Sequence, residues 1–313
     1  MCIRDRLTSC VIAFVLSILL AVFFSRVFTR PISALKKTAM ALAGGEYHTR
    51  MRLRRGDEIG SLAQSMDILA QRLEEARRRD ERLREEQQAF FSNISHELKT
   101  PVTVIRGSLE ALSDGVVSSP ADVRAYYVQM MKESRWMQRL IQDLLELSRL
   151  QSLDFSLDKR TVQLSDLLSD VAMSARALCE RKGLAFVCEE PTRDFAVWGD
   201  YARLRQMLLA VIDNAVKFTP SGCRVSLALQ SDSPVILVRD EGTGIAPEEV
   251  EHIFDRFHHT RARNQESTGL GLAIVREIAR RHDVQIQVSS EPGKGTSFAF
   301  AFHADDGRRT AAR

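Results

Sequence analysis

Hydrophobic and polar positions divide the chain into three parts, of which the first is a long apolar run. Residues 7–28 carry no charged side chain before Arg26. About 20 apolar residues match the thickness of a bilayer core, so this run predicts a transmembrane helix. Its length, and the lack of a small-residue cleavage site after it, argue against a signal peptide. Basic residues collect just beyond it, at Arg26, Arg30, Lys36 and Lys37, which predicts that the rest of the chain is cytoplasmic.

The apolar run begins almost at the start of the sequence. Only six residues precede it, which leaves no room for an external domain. We therefore expect that an earlier membrane span and a sensory domain are missing from this sequence.

Two amphipathic helices are predicted directly after the membrane span. Pro31 suits the first position of a helix, and the pair Gly44 and Gly45 ends that helix. A polar connector follows. Asp57 and Glu58 then place negative charge at the start of the second helix, where the helix dipole stabilises it.

The second helix continues as a long apolar seam with three-four spacing. This spacing is typical of a coiled coil, so we expect two chains to associate in parallel. From Ile94 to Leu98 to Val102 the steps become four and four, which changes the local winding of the helix. The seam residues are Ile59, Leu62, Met66, Leu69, Leu73, Ala76, Leu83, Phe90 and Ile94.

This helix is predicted to end near Leu112, and another is predicted to begin at about Ala121. A turn over residues 113–120 separates the two helices. Two helices joined by a short loop form a hairpin, and two hairpins form a four-helix bundle. The predicted seam of the later helix consists of Val123, Tyr127, Met130, Met137, Ile141 and Leu144.

From about Ser156 the pattern alternates between strands and helices. It begins with a strand, a turn and a helix over 161–183. This alternation favours an α/β two-layer sandwich with helices on one side of a mixed sheet. A frayed tail is predicted over 305–313. Strands are predicted at 184–190, 223–230, 234–240, 283–290 and 296–302, and helices at 200–218 and 269–282.

Composition excludes few classes of function. The 44 basic and 41 acidic residues leave a net charge of +3, which gives no support for nucleic-acid binding. An odd number of cysteines fits a reducing compartment. The five cysteines lack metal-site spacing and stand at Cys2, Cys10, Cys179, Cys188 and Cys223.

The stretch FSNISHELKTP, residues 91–101, carries the first candidate chemistry. His96 is two positions from either neighbouring seam residue, so it points away from the apolar seam. Glu97 adjoins it, and Thr100 lies one turn further on the same exposed face. A neutral imidazole is a good nucleophile when a carboxylate orients or takes its other proton. Pro101 removes a helical amide and is expected to bend the helix as a hinge. An isolated histidine of this kind is usually an ordinary surface residue.

Three glycine turns in the α/β part carry the second candidate chemistry. They are DEGTG at 240–244, TGLGLAIV at 268–275 and GKGT at 293–296, with DNAVKF at 213–218 before them. The second turn opens a helix, and the free amides of a helix N-terminus bind phosphate. Glycine also lets the backbone approach a ligand closely. The P-loop pattern is absent from the sequence.

These motifs together resemble a known family. HELKTP at 96–101 resembles the phosphoacceptor motif of sensor histidine kinases. The glycine turns with DNAVKF resemble the ATP-binding domain shared by histidine kinases, gyrase-type ATPases and mismatch-repair ATPases. Pro31 and DEIG at 57–60 resemble a HAMP domain. The resemblance implies a transmembrane helix (7–28), a HAMP-like linker (30–83), a dimerisation and histidine phosphotransfer domain (84–152), an ATP-binding catalytic domain (156–304) and a tail (305–313).

The resemblance also implies roles for individual residues. His96 would accept the γ-phosphoryl group of ATP, with Glu97 as its base, and Thr100 would assist hydrolysis of the phosphorylated partner in the reverse mode. Asn214 would coordinate Mg²⁺ and Lys217 would reach phosphate. The remaining implied nucleotide contacts are Asp240 for the adenine amino group, Gly242 and Gly244 in the adenine-side turn, Thr268, Gly269, Leu270 and Gly271 around the phosphates, and Thr296 near adenine.

Three positions depart from the family pattern. Ala210 stands where Asn or Glu is usual, which weakens metal binding or base function in the nucleotide site. His259 stands where the family often has Arg or Lys after the FxRF pattern, which is FDRF at 254–257 here. Either Arg261 or Arg263 takes over the role of that cation, or both are ordinary surface charges. Ser267 replaces a common glycine. Separately, Phe254 and Phe257 either anchor a lid over 258–267 or are plain core aromatics.

The expected protein is a homodimeric histidine kinase of the bacterial plasma (inner) membrane that uses ATP and Mg²⁺. Its expected partner is a cytoplasmic response regulator, without direct nucleic-acid contact. Three alternatives stay open at this point. They are a protein that acts mainly as a phosphatase, a nucleotide-binding regulator without phosphotransfer, and a gyrase-like or repair ATPase.

Overall fold

A computed structural model describes residues 3–53, 55–152, 154–189, 193–258 and 267–303, with side chains from Cys10 onward. Contacts divide the chain into two units, Met1–Ser92 and Asn93–Arg313.

The N-terminal unit begins with a nearly unbroken helical rod. It consists of α1 (Ile3–Phe24), a π-helical turn (Ser25–Thr29) and α2 (Arg30–Ala43). The helix over Cys10–Ala43 is long and apolar enough to cross a membrane. The predicted span over 7–28 therefore coincides with α1 and most of the π-helical turn.

The connector between α2 and the next helix is tied to the end of the membrane span. Arg55 donates a hydrogen bond to the carbonyl oxygen of Val27 in the π-helical turn (2.8 Å) and pairs with Asp57 (2.6 Å). Asp57 also accepts from the amide of Gly60, and this bond is the main cause that lowers the pKa of Asp57. A Cβ at Gly60 would lie 2.1 Å from the carbonyl oxygen of Arg55. The DEIG sequence therefore holds the connector against the start of the helix.

Two long helices follow, α3 (Glu58–Ser113) and α4 (Pro120–Gln151). Their bounds confirm the predicted turn over 113–120. Tyr127 and Ile141 of the predicted α4 seam are 55% and 47% exposed in this single chain. The buried apolar residues of α4 are instead Trp136, Leu140, Leu147 and Leu150.

The rest of the C-terminal unit is an α/β two-layer sandwich, as predicted. Its five-stranded sheet has the order β2-β4-β5-β7-β6, with β2 and β4 parallel and the other pairs antiparallel. Helices α5, α6 and α8 pack together beside this sheet. The elements are β1 (Arg160–Gln163), α5 (Leu164–Lys182), β2 (Ala185–Glu189), β3 (Ala196–Gly199), α6 (Tyr201–Phe218), β4 (Arg224–Leu229), β5 (Val235–Asp240), α7 (Pro247–Val250), α8 (Gly271–Arg281), β6 (Gln285–Glu291) and β7 (Gly295–Ala301).

Alternating burial explains why these segments form strands. Along β4 and β5, every second residue is buried under the helices, which is the period of a sheet with one covered face. The sequence interpretation missed β3 and α7. Each has only four residues, and β3 is defined by its pairing with β1 across more than 30 positions rather than by a local pattern.

Candidate active site

The phosphoacceptor candidate lies on one exposed face of α3. The His96 side chain is 73% exposed, whereas that of Glu97 is only 19% exposed. Nδ1 of His96 lies 3.9 Å from Oε1 of Glu97, which is ion-pair distance rather than a hydrogen bond. The Thr100 hydroxyl donates to the carbonyl oxygen of His96 (3.3 Å). The predicted grouping of a solvent-facing imidazole beside a carboxylate is therefore present.

Pro101 is buried, and the helix stays α-helical on both sides of it. Thr103 donates its hydroxyl to the carbonyl oxygen of Lys99 (2.8 Å) across this point. The proline thus does not interrupt the helix, and its action as a hinge stays a prediction.

A cavity of about 310 Å³ lies among α4, α6, the turn before α8 and the strands β5 and β7. Most of the predicted nucleotide residues line it, although they are distant in sequence. Gly242 and Leu270 are the two predicted residues outside the lining. Those that line the cavity are Asn214, Lys217, Asp240, Gly244, Thr268, Gly269, Gly271 and Thr296.

Helix α6 contributes one side of the cavity through residues about one turn apart. Gln206, Ala210, Asn214 and Lys217 recur at steps of four, four and three and all line the cavity. The helix begins at Asp200, whose carboxylate accepts from the amide of Arg203 (3.2 Å) as an N-cap. Because Ala210 faces the cavity, the departure from the family pattern removes a polar group from the site itself.

The charged end of α6 offers oxygen ligands suited to magnesium. Asp213 pairs with Lys217 (2.6 Å), and Asn214 lies beside it in the lining. Mg²⁺ takes oxygen ligands and usually has only one or two from protein, with phosphates and water completing the shell. Within the described residues no group of three or more His, Cys, Asp or Glu side chains has metal-site geometry. The donor set therefore fits a magnesium ion held jointly with phosphate.

Lys182, which the sequence did not single out, holds the C-terminus of α6. Its ammonium group donates to the carbonyl oxygens of Val216 and Lys217, the latter at 2.6 Å. A cation at this end also complements the helix dipole. Lys182 thus positions the backbone from which the Lys217 side chain reaches the cavity.

Asp240, at the end of β5, is a half-buried carboxylate in the cavity lining. Burial raises its pKa, while hydrogen bonds from the amides of Gly242 (2.9 Å) and Thr296 oppose the rise. Thr296 is buried as well, and its hydroxyl lies 2.9 Å from that of Ser290. A fixed, half-buried acceptor of this kind suits a ligand amino group.

The first and third glycine turns interlock. Gly244 has φ +66° and a Cβ there would lie 2.1 Å from the carbonyl oxygen of Glu291; Gly295 has φ +91° and a Cβ would lie 1.9 Å from that of Asp240. The amide of Gly293 also donates to Thr243 (2.8 Å). The close approach that these glycines permit is therefore to the protein's own backbone, which builds the floor of the cavity around Asp240.

The second turn, Thr268 to Gly271, leads directly into α8. Gly269 has φ +67°, and its carbonyl oxygen accepts from the amide of Phe257 (2.9 Å). A Cβ at Gly271 would meet nothing within 4 Å, so this turn is open at the start of α8, unlike the positions of Gly244 and Gly295. The open turn at a helix N-terminus provides amides for an anion.

Residues of α4 also line the cavity, which the sequence did not reveal. They are Arg139, Gln142 and Asp143. The Asp143 carboxylate accepts a hydrogen bond of 2.6 Å from the Thr268 hydroxyl. These two residues are 125 positions apart, so no local spacing connects them.

The segment that follows Phe254 joins the cavity at His258. Its Nε2 is buried and has no hydrogen-bond partner in the part of the chain that the structure describes. Ser267 also lines the cavity. Phe254 packs edge to face on Phe298, with 6.4 Å between ring centroids, which favours a core role for it. His259, with Arg261 and Arg263, lies outside the described residues.

Three family models match successive parts of the chain. Residues 23–75 match the HAMP domain. Residues 86–153 match the His Kinase A (phospho-acceptor) domain. Residues 199–306 match the histidine kinase-, DNA gyrase B- and HSP90-like ATPase. The chain belongs to the sensor histidine kinases. A gyrase-like or repair ATPase is therefore set aside, since those would not explain the first two domains.

Relatives of this sensor kinase support the same assignment. The sensor histidine kinase YclK of Bacillus subtilis is 29% identical over 289 residues, which cover 91% of this chain and 61% of YclK. The sensor protein SrrB of Staphylococcus aureus is 33% identical over 215 residues, covering 67% of this chain and 36% of SrrB. The chain thus spans about three fifths and one third of these two relatives.

A solved structure shows the same fold. It contains the histidine kinase ThkA in complex with the response regulator protein TrrA, with a TM-score of 0.60 and 23% identity. The likeness covers 76% of this chain and 67% of that one.

Proposed function

We propose that this protein uses ATP and Mg²⁺ to phosphorylate its own His96 and then passes the phosphoryl group to an aspartate of a cytoplasmic response regulator. One observation carries the proposal. A single compact unit contains both an exposed histidine beside a carboxylate and a cavity with an open turn at a helix N-terminus. The first is a phosphoryl acceptor and the second suits the donor.

The roles in the transfer follow from the geometry on α3. Nδ1 of His96 faces Glu97, so Nε2 is the nitrogen that attacks the γ-phosphorus. The new N–P bond replaces the bond between the γ-phosphorus and the β–γ bridging oxygen, and ADP leaves. Glu97 takes the Nδ1 proton, which compensates the charge that develops on the ring. The product is a phosphoramidate.

Binding and neutralisation of the nucleotide fall to the cavity. Lys217 and the amides of the Thr268 to Gly271 turn are placed to meet phosphate charge, and phosphoryl transfer depends mainly on such positioning and neutralisation. Mg²⁺, held through Asn214, would neutralise phosphate oxygens further. Asp240 accepts a hydrogen bond from the adenine amino group, with Thr296 beside it. Gly242 and Gly244 maintain the turn around this carboxylate.

Partners and location are part of the proposal. Apolar side chains exposed on the long helices motivate a homodimer that buries Leu69 and Leu83 in a parallel coiled coil and Tyr127 and Ile141 in a four-helix bundle. The TrrA partner of ThkA motivates the response regulator. The apolar helix supports a location in the bacterial plasma membrane, and the proposal assigns the catalytic part to the cytoplasm. Thr100, on the His96 face, would assist the reverse phosphatase reaction.

The test is autophosphorylation of the whole chain in detergent micelles with γ-labelled ATP and Mg²⁺. We expect a label that survives base, is lost in acid and requires Mg²⁺. It should vanish in His96→Gln and persist in His252→Gln, a matched control because His252 is also exposed in the same unit. Nucleotide binding without any label would contradict the kinase proposal and favour a regulator. A dominant loss of phosphate from a phosphorylated regulator would favour a phosphatase.

A further inference from the structure

One charged group in the nucleotide cavity has no role in the proposed reaction. Asp143 lies on α4, the second helix of the phosphotransfer hairpin, yet its carboxylate lines the cavity of the ATPase domain. It accepts a 2.6 Å hydrogen bond from Thr268, the first residue of the open turn that begins α8. A carboxylate therefore already holds a donor of the turn that a nucleotide phosphate would use.

The charges around Asp143 are those that a phosphate would seek. Burial raises the pKa of Asp143, whereas Thr268, Lys217 and Arg139 favour its charged form, and Asp213 opposes it. Lys217 and Arg139 line the same cavity. The Asp143 carboxyl group thus lies among two cations and a hydroxyl donor, at a helix N-terminus suited to anions.

We propose that Asp143 is an internal substitute for a nucleotide phosphate, so that α4 and the phosphates of ATP compete for the same donors. This inference rests on the proposed function of the cavity. When phosphate enters, its charge repels the carboxylate, and Thr268 exchanges one anion for the other. Nucleotide binding is thereby coupled to release of α4 from the ATPase domain at this point.

Other contacts of α4, and of the residues just after it, lie outside the turn from Thr268 to Gly271. They hold the phosphotransfer hairpin against the ATPase domain. Glu146, one turn beyond Asp143, pairs with Arg203 and accepts from Gln206 (3.3 Å). Further on, Arg281 donates to the carbonyl oxygens of Ser152 (2.8 Å) and Phe155 (3.0 Å). Phosphate therefore has to displace the contact between Asp143 and Thr268, while the contacts of Glu146 and Arg281 hold α4 beside the ATPase domain.

Removal of the Asp143 charge separates this competition from a simple structural role. Asp143→Asn keeps the volume and an acceptor oxygen, and Asp143→Ala removes the contact altogether. If the carboxylate excludes phosphate, both variants bind phosphate-bearing nucleotides more tightly, by about tenfold, because the competent state is more populated. A residue that only supports the fold, or that helps to hold the nucleotide or metal, would weaken binding when replaced.

The experiment measures dissociation constants of the whole chain in micelles for a non-hydrolysable ATP analogue with Mg²⁺, for ADP and for adenosine. We expect tighter binding of the first two in both Asp143 variants and an unchanged constant for adenosine, which has no phosphate. Glu133→Gln is the matched control, because Glu133 lies on the same helix and bonds only Gln129 in the described contacts (2.6 Å). It should bind as the unchanged protein does.

Two outcomes overturn the inference. Equal or weaker binding of the ATP analogue in Asp143→Asn would exclude competition, and an equal gain for adenosine would place the effect away from the phosphates. Failure of the proposed function can be distinguished from failure of this inference. If neither the unchanged protein nor any variant binds nucleotide, both proposals are overturned. If the Asp143 variants bind the ATP analogue and ADP more tightly but no label appears on His96, the competition stands and the kinase proposal is rejected.

Discussion

The phosphoacceptor stretch and the nucleotide cavity differ in how many parts of the chain build them. His96, Glu97 and Thr100 lie within five residues of one helix, and their relation follows from helical geometry alone. The cavity joins α4, α6, two strands and the turn before α8. A site built within one element depends on local spacing, whereas a site built from several elements depends on the packing of the whole unit.

The two regions also differ in burial. His96 is exposed and contacts little, so its replacement alters chemistry and not the fold. Asp240 is half-buried, and a Cβ at Gly244 or Gly295 would collide with neighbouring backbone, so replacement there alters binding and stability together. The four tests below separate these two kinds of dependence.

The largest effect is expected at His96. His96→Gln should reduce autophosphorylation by more than about 1000-fold because the nucleophile is lost. The free energy of unfolding should change by no more than about 0.5 kcal/mol, as for other surface positions. Label incorporation and urea unfolding followed by circular dichroism measure the two quantities. A large loss of stability would show that the phosphoacceptor stretch depends on the packing of the rest of the unit, as the cavity does.

The next largest effect is expected at Gly295, which lies against backbone in the interlocked turns and not on an exposed helix face. Gly295→Ala should lower the free energy of unfolding by about 3 kcal/mol or more, because φ is +91° and the added Cβ meets the Asp240 carbonyl oxygen. Gly107→Ala is the control, since Gly107 lies inside a helix and a Cβ there meets nothing within 4 Å. Unfolding midpoints in urea measure both. Equal midpoints for the two variants would refute the interlocked turns.

A smaller effect is expected at Asp240. Asp240→Asn should weaken binding of ATP by about 10- to 100-fold, since a hydrogen bond to a charged group contributes about 1.5–3 kcal/mol. Discrimination between adenine and guanine nucleotides should fall with it. The measurement is calorimetric titration with both nucleotides, beside Asp232→Asn on the exposed β4–β5 turn. Undiminished preference for ATP in Asp240→Asn would remove the base-recognition role.

The smallest effect is expected from pH at His282, a buried residue outside the cavity. Its Nδ1–H donates to the Ile278 carbonyl oxygen (2.8 Å), and its Nε2 accepts from the Asp200 amide (3.0 Å), so the ring is neutral. Burial lowers its pKa below the usual 6.5. Its contribution to stability is therefore complete above pH 6.5 and is lost as pH falls through the lowered value.

The corresponding slope is about 1.4 kcal/mol per pH unit between the two pKa values. Urea unfolding at a series of pH values should show this slope in the unchanged protein and a smaller one in His282→Asn. His303→Gln, which replaces an exposed histidine, should keep it. Identical pH dependence in all three proteins would mean that His282 is not held neutral by the fold.

Prediction from the sequence succeeded where a local period governs structure. The long helices and the turn over 113–120 were predicted from local patterns, as were six of the seven strands, and the structure has them within a few residues. The glycine turns were also found, although their reason was not. Gly244 and Gly295 approach backbone from distant positions, and no short pattern contains that contact.

Interpretation of the cavity from sequence was incomplete for the same reason. Lys182 is 34 positions from Val216, and Asp143 is 125 from Thr268. Gln206 is the exception that spacing could have found, because it lies two turns before the DNAVKF segment on the same face of α6.

The amino-acid sequence by itself determined the order of domains, the class of each fold and the place of His96, because hydrophobic period and short motifs act over a few residues. Only the tertiary structure decided which groups share the nucleotide cavity. The contacts of Asp143 with Thr268, and of Lys182 with the end of α6, depend on how α4, α5, α6 and α8 pack. Packing brings together residues whose distance in sequence carries no information about their distance in space.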